Sequence, residues 1–119
     1  MAACSSAWLN GILAVNRLAA IDSFWRAANY VSAALLYLRS NPMLRRPLAF
    51  EDVKPRAVGH WGCVPALNFI WANLLAAIRA TGVDVRFFFG SGHAGPAWLS
   101  CSYLEGSLDA RSLLQNWRE

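Results

Sequence analysis

The chain has 119 residues, which is enough for one small domain with its own core and leaves no room for a second. Apolar residues make up 56% of the sequence and charged residues 15%, which is more apolar than is usual for a soluble domain. The net charge of +4 is spread along the chain without a basic stripe, so we do not expect a nucleic-acid-binding protein.

Two features of the sequence argue against a membrane or exported protein. Residues 27–38 are rich in apolar side chains, but this stretch between Arg26 and Arg39 is shorter than the roughly 20 residues that span a bilayer. The N-terminus has no positive charge before Arg17, which a secretory signal requires. We therefore expect a cytoplasmic protein without membrane partners. An organelle-targeting role of the Ser/Ala-rich N-terminus remains an alternative.

The first predicted element is an amphipathic helix over residues 19–40. Apolar and aromatic side chains recur there every three or four residues, which is the spacing of one helix face. Pro42 ends this helix because proline disfavours helical backbone in the residue before it. An irregular connection that contains Pro47 and Pro55 then leads to a Gly-His-Trp-Gly segment at residues 59–62.

A second helix is predicted over residues 65–80, since proline is favoured in the first turn of a helix and Gly82 provides a stop signal. Apolar residues cover almost its whole circumference, which predicts a helix buried on several sides. Residues 83–89 are β-branched and aromatic between glycines, and we interpret them as a strand. A glycine turn and a third helix over residues 96–103 follow. This order of elements predicts an α/β fold with a parallel sheet flanked by helices.

The glycine turn after the predicted strand matches the pattern G-x-G-x-x-G at Gly90, Gly92 and Gly95. A dinucleotide-binding fold is one interpretation, but it requires a second strand and an acidic residue about 20 positions further on, and no such strand follows. Without a Gly-Lys-Ser/Thr sequence the turn is not a Walker loop either. Glycines between a strand and a helix start still let backbone N–H groups approach an anion such as a phosphate.

Both histidines of the chain, His60 and His93, lie in glycine-flanked turns that precede predicted helices. Histidine donates hydrogen bonds to phosphate or hydroxyl groups and exchanges protons near neutral pH, so the two are candidate catalytic residues. The alternatives are structural histidines that hydrogen-bond their own turns, and a zinc pair that lacks a third ligand. Cys63 and Cys101 are candidate nucleophiles or buried apolar residues, and the cysteine spacing suggests neither a disulfide framework nor a zinc site.

At these residues the sequence resembles the N-terminal part of the xylulose-5-phosphate/fructose-6-phosphate phosphoketolase family. Residues 24–48 resemble the family's segments WRAANYL and DNPLL, and residues 53–74 resemble GHWGTTPGLNFIYAH. Residues 89–107 resemble GPGHGGPA followed by TYLEGT. We therefore divide the chain into a divergent N-terminal extension (1–20), a phosphoketolase-like segment (21–107) and a divergent tail (108–119).

The resemblance implies a thiamine diphosphate-binding fold, of which this chain holds an incomplete part. Phosphoketolases use thiamine diphosphate and Mg²⁺ to cleave a ketose phosphate with inorganic phosphate, and they release acetyl phosphate and an aldose phosphate. By similarity, His60 and His93 are catalytic residues beside the thiazolium ring and the substrate hydroxyl groups. Gly92, His93 and Gly95 are the matching cofactor-binding residues. The resemblance also implies a homo-oligomeric parent enzyme whose site forms between two subunits.

The chain departs from the family's motifs at Cys63 and Val64, where the family has two threonine hydroxyls, at Ser91 and Ala94 in the glycine turn, and in the absence of the magnesium motif. Ala94 stands where the family has glycine, and alanine is unfavourable where the backbone needs a positive φ angle. The Gly-Asp-Gly motif that binds Mg²⁺ in thiamine enzymes is missing, so we predict no metal ligand here and no turnover by the 119-residue chain alone. A noncatalytic interaction module that uses the excess apolar surface is the alternative function.

Overall fold

The structure, a computed structural model, describes residues 17–56, 60–90 and 92–115. The α-helices of the described ranges are α1 (Arg17–Tyr37), α2 (Val64–Thr81), α3 (Gly95–Glu105) and α4 (Ala110–Gln115). Short 3₁₀ turns lie between the helices at Phe50–Asp52, Trp61–Cys63 and Gly92–Ala94. Helix α1 packs against both α2 and α3, and α4 packs against α3.

Helix α1 is central because the other three helices all pack around it. Phe24 and Ala28 of α1 form an apolar cluster with Ala72 of α2 and Cys101 of α3. A second cluster, nearer the C-terminus of α1, includes Leu113 of α4. Burial of these side chains removes apolar surface from water, which is the main favourable contribution to packing.

A buried network of polar side chains joins α1, α2 and α3 where they meet. Asn68 of α2 is fully buried, and its amide donates to Asn29 at 2.9 Å and to Ser32 at 3.2 Å, both on α1. Its Oδ1 atom accepts a hydrogen bond from the Cys101 thiol of α3 at 3.3 Å. Ser32 Oγ and Ser100 Oγ are 2.7 Å apart and share a further hydrogen bond. Where the three helices meet, the buried polar side chains therefore act as hydrogen-bond partners for one another.

The connection between α1 and α2 is organised around one buried carboxylate. Asp52 accepts two hydrogen bonds from the Arg46 guanidinium, at 2.7 and 2.5 Å, and others from the Ser40 hydroxyl and the Ala49 N–H group. These hydrogen bonds lower the pKa of Asp52 below its ordinary value, and those from Arg46 have the largest effect. The Lys54 ammonium donates to a carbonyl in the last turn of α1 at 2.9 Å, which caps that helix.

The predicted helices are confirmed as α1, α2 and α3, with ends displaced by a few residues. A proline occupies the first turn of both α2 and α3, and Gly82 ends α2 with a φ angle of 68°. The expectation that α2 is buried on several sides is wrong. Among its 18 residues, the buried ones are Val64, Asn68 and Ala72, which form a single stripe at a spacing of four. Much of the apolar surface of α2 is therefore accessible.

The predicted α/β fold is wrong for the described residues, which form helices and contain no strand or parallel sheet. Residues 83–89, the predicted strand, form a segment without regular secondary structure. The segment has the alternation of a strand, since Phe87 and Phe89 pack near Trp71 while Phe88 is exposed. A strand also needs a neighbour that pairs with its backbone groups, and the described ranges supply none.

Replacing Asn68 by alanine should lower the free energy of unfolding by about 2 to 4 kcal/mol, because the change leaves buried polar groups of α1 and α3 unpaired. Asn73→Ala is the matched control on the same helix. Asn73 is exposed and donates to Phe69 O of its own helix, so its loss should cost about 0.5 kcal/mol or less. Urea unfolding of both variants measures the difference. Equal effects would contradict the structural role of Asn68.

The contribution of Asp52 to stability should depend on pH. Its pKa is lowered in the folded chain, so the carboxylate stabilises the fold above its ordinary pKa of 3.8, and this contribution is lost as the pH falls below that value. Asp52→Asn should therefore be less stable than the unmodified chain at pH 7. The difference should narrow as the pH falls from about 4 towards 2. Thermal unfolding over this range measures it, and a difference that does not vary with pH would contradict the ion pair.

Candidate active site

The two histidine turns come together although they are far apart in the sequence. The imidazole rings of His60 and His93 have centroids 5.5 Å apart and planes inclined at 44°. Both side chains are exposed, and neither ring makes a hydrogen bond to another described residue. The described residues therefore do not support the alternative in which each histidine hydrogen-bonds its own turn. The two rings instead form an accessible pair.

Each histidine lies in or directly before a 3₁₀ turn that continues into a helix. His60 stands directly before Trp61–Cys63, which leads into α2, and His93 lies within Gly92–Ala94, which leads into α3. Gly62 leaves room for the His60 ring, because a Cβ atom there would lie 3.3 Å from its Nδ1 atom. Neither helix start has a side-chain cap. The Val64 N–H group at the start of α2 donates to Trp61 O of the preceding turn, and the second residue of each helix is a proline, which has no N–H group.

Helix α1 positions both turns through one hydrogen bond to each of the helices that follow them. Trp25 Nε1 donates to Pro65 O in the first turn of α2 at 2.9 Å. Ser32 Oγ donates to Pro96 O in the first turn of α3 at 3.1 Å. Trp25 and Ser32 are seven residues apart and therefore lie on the same side of α1. The spacing of the two histidine turns thus depends on one helix.

Trp25 and Ser32 are positioning residues that the sequence patterns did not reveal. Ser32 is a polar residue among the apolar positions of α1, and this was the one available signal of a buried hydrogen bond. Trp25 fits the apolar face of the helix, so its indole donor has no evident partner until the start of α2 is placed beside it. Both roles depend on contacts between residues that are distant in the sequence.

Gly92 and Gly95, the predicted cofactor-binding glycines, border open space. A Cβ atom at either position would meet no atom within 4 Å, and neither residue has a positive φ angle. Glycine at these two positions therefore leaves room beside His93. It is not needed to relieve strain in the backbone. Ala94 has φ −81° and ψ −1° and is fully buried, so the alanine at this position is not strained.

The described residues do not assemble a metal site or an activated thiol. No group of three or more His, Cys, Asp or Glu side chains in these ranges is placed to hold a metal ion. Burial, with a smaller effect of Glu105, raises the pKa of Cys101 to about 12, so its thiol stays protonated and is a poor nucleophile. The Cys63 thiol donates to the His60 carbonyl oxygen at 3.6 Å. Cys63 therefore lies close to the histidine pair at the entry to α2.

Residues 13–113 match the family described as the XFP N-terminal domain. A probable phosphoketolase from Bradyrhizobium diazoefficiens is 52% identical over 87 residues, which are 73% of this chain and 11% of that protein. The chain belongs to the phosphoketolase family. A probable phosphoketolase from Mesorhizobium japonicum is 48% identical over 97 residues, 82% of this chain and 12% of its own length. One from Nocardia farcinica is 49% identical over 90 residues, 76% of this chain and 11% of its own.

The resemblance drawn from the motifs is therefore confirmed at the level of the phosphoketolase family. The chain spans only 11% to 12% of the length of these relatives. The structure brings His60 and His93 together, as a shared site requires. Their catalytic roles, and the cofactor contacts of Gly92 and Gly95, stay predictions.

Ala94→Gly, which restores the glycine of the phosphoketolase motif, should lower the free energy of unfolding by about 0.5 to 1 kcal/mol. Ala94 is buried with a negative φ angle, so glycine adds backbone entropy to the unfolded chain without relieving strain. Gly92→Ala is the control and should change the free energy by about 0.5 kcal/mol or less, because its Cβ atom meets open space. Urea unfolding measures both, and a gain of stability in Ala94→Gly would contradict the assigned backbone geometry.

Proposed function

We propose that this chain forms one side of a phosphoketolase active site in which His60 and His93 are catalytic residues. The observation that carries the proposal is the approach of the two exposed imidazole rings to 5.5 Å, in a chain of the phosphoketolase family. The proposed reaction cleaves xylulose 5-phosphate or fructose 6-phosphate with inorganic phosphate, which makes the enzyme an aldehyde-lyase. The products are acetyl phosphate, an aldose phosphate and water.

Thiamine diphosphate is the cofactor of the proposed reaction, and when bound it supplies the carbon nucleophile and the electron sink. The described residues fit one side of such a ligand. Open space borders Gly92 and Gly95, and the positive N-terminal ends of the dipoles of α2 and α3, next to the histidine turns, favour an anionic group. The same residues do not fit Mg²⁺, because they contain no group of three ligands. In the proposal, the magnesium ligands belong to another part of the enzyme.

The two histidines bind the sugar and move protons at its hydroxyl groups. Imidazole exchanges protons near neutral pH, and two rings 5.5 Å apart can serve neighbouring oxygen atoms of one sugar. One ring donates a hydrogen bond to a hydroxyl oxygen while the other accepts a proton from the next hydroxyl. Because Trp25 and Ser32 hold the two helix starts, this spacing exists before the substrate binds.

The sugar phosphate and inorganic phosphate are anions, and the net charge of +4 favours their approach. The complete enzyme is proposed to be a cytoplasmic homo-oligomer whose active site combines this segment with residues of other segments. The sequence holds the histidine pair without a Gly-Asp-Gly motif, so the 119-residue chain by itself is proposed to be inactive.

The catalytic roles are tested in a chimera in which residues 13–113 replace the matching segment of the Bradyrhizobium diazoefficiens relative. His60→Ala and His93→Ala should each lower kcat for acetyl phosphate formation about 10²- to 10⁴-fold, because each removes a proton-transferring group. Asn73→Ala, an exposed change on α2 away from the pair, is the control and should alter kcat less than about twofold. Thermal unfolding verifies that each variant is folded.

Two outcomes would contradict this proposal. If kcat is nearly unchanged in both histidine variants of an active chimera, then neither His60 nor His93 is a catalytic residue. Acetyl phosphate produced by the 119-residue chain alone, with xylulose 5-phosphate, phosphate, Mg²⁺ and thiamine diphosphate, would overturn its predicted inactivity. The hydroxamate assay detects the product, and the His60→Ala/His93→Ala double variant of the chain sets the background.

A further inference from the structure

The two imidazole rings of the candidate active site are spaced like two ligands of one metal ion. In a tetrahedral Zn²⁺ site with Zn–N bonds of about 2.1 Å, two histidine rings have centroids roughly 5 to 5.5 Å apart. The centroids of His60 and His93 are 5.5 Å apart. Both side chains are exposed, and neither ring makes a hydrogen bond to another described residue. An ion from solution can therefore reach the nitrogen atoms of both rings.

Cys63 is a third candidate ligand beside this pair. Two residues separate it from His60, which is a common spacing between neighbouring zinc ligands. The chain between them forms the 3₁₀ turn Trp61–Cys63, and side chains three positions apart lie on the same side of such a turn. The half-buried Cys63 thiol donates to His60 O at 3.6 Å, so it already lies beside the backbone of His60. The sequence alone shows no third ligand because it does not bring the two turns together.

The three side chains need a change of rotamer before they can hold an ion together. In the structure the Cys63 thiol is directed at a carbonyl oxygen, and no three such side chains of the described residues are grouped for a metal ion. Rotation of Cys63 to another staggered rotamer breaks one hydrogen bond, and a thiol is a weak donor. The first turns of α2 and α3 are already held by the bonds from α1. The reorganisation is thus confined to side chains.

The chemistry of these side chains favours Zn²⁺ over Mg²⁺. Imidazole nitrogen and thiolate sulfur are typical zinc ligands, whereas Mg²⁺ prefers oxygen. The thiol releases its proton to the solvent when the Zn–S bond forms, and a water molecule completes the tetrahedral shell. The other described thiol, that of Cys101, is buried and stays protonated, so it does not compete for the ion.

We propose that His60, His93 and Cys63 bind a Zn²⁺ ion at the entry to α2. The phosphoketolase motif has threonine at the position of Cys63, so this site is a property of the present chain and not of the motif. Binding requires the three side chains and does not depend on catalytic roles of the histidines. One consequence does rest on the proposed function. The ion occupies the ring nitrogens that exchange protons with the sugar, so Zn²⁺ inhibits the reaction.

Zinc binding by the 119-residue chain tests the site, and competition with a chromophoric zinc indicator measures the affinity. Cys63→Thr, which introduces the residue of the motif, should weaken binding at least about tenfold, because a hydroxyl group is a poor zinc ligand. His93→Ala should weaken it by at least as much. Asn73→Ala, an exposed change on α2, is the control and should alter the affinity less than about twofold. Thermal unfolding verifies that each variant is folded.

Three outcomes of these measurements would overturn the three-ligand site. An affinity that is equal in the unmodified chain and in both ligand variants would place the ion at another thiol or imidazole. Weaker binding in His93→Ala together with unchanged binding in Cys63→Thr would leave a two-histidine site. Displacement of Zn²⁺ by an equal concentration of Mg²⁺ would indicate oxygen ligands. Co²⁺ in place of Zn²⁺ should give a thiolate-to-metal charge-transfer band that Cys63→Thr removes, which a merely structural role of Cys63 would not produce.

Inhibition is tested in the chimera that carries residues 13–113. The Zn²⁺ concentration that halves acetyl phosphate formation should rise at least about tenfold in Cys63→Thr, whereas kcat without zinc should change less than about twofold. Equal half-inhibiting concentrations in the two chimeras would overturn the inhibition. Failure of the proposed catalytic roles is seen separately, as an unchanged kcat of His60→Ala and His93→Ala without zinc.

Discussion

The arrangement of α1, α2 and α3 depends on the buried hydrogen bonds around Asn68. Apolar side chains alone tolerate small shifts between helices, because their attraction has little directional preference. The amide of Asn68 and the hydroxyl groups of Ser32 and Ser100 are satisfied only when the three helices stand in one register. A shift that breaks these bonds leaves polar groups buried without partners, which is costly. The same register fixes the positions of the first turns of α2 and α3 relative to each other, and the two histidine turns lie next to those first turns.

Local features of the sequence predicted the helices. The absence of a sheet and the approach of the two histidines depend instead on contacts between residues that are distant in the sequence. Helical periodicity and a proline in the first turn are properties of short segments, so α1, α2 and α3 were recognised close to their observed ends. Residues 83–89 have the local pattern of a strand, but a sheet also needs a partner, and no short segment reveals its partner. His60 and His93 were singled out by their turns and motifs. Their approach to 5.5 Å depends on contacts with α1 that no spacing in the sequence discloses.

The high apolar share of the sequence agrees with how its apolar residues are divided between the interior and the surface. The buried apolar core consists largely of small side chains such as Ala28, Ala72 and Ala97, whereas Phe69 and Phe88 remain exposed. An apolar share of 56% is thus greater than the described helices can bury among themselves. In the Bradyrhizobium diazoefficiens relative the matching segment is 11% of the protein, so most of the surface against which that segment can pack lies outside it.

The hydrogen bonds from α1 to the starts of α2 and α3 also make the spacing of the histidine pair depend on residues outside it. Trp25 and Ser32 bond to carbonyl oxygens, and neither side chain belongs to the histidine pair. Each bond holds the first turn of a different helix, so loss of the Trp25 bond releases the start of α2 next to His60, and loss of the Ser32 bond releases the start of α3 next to His93. The separation of the two imidazole rings is thus a property of α1 as much as of the two turns.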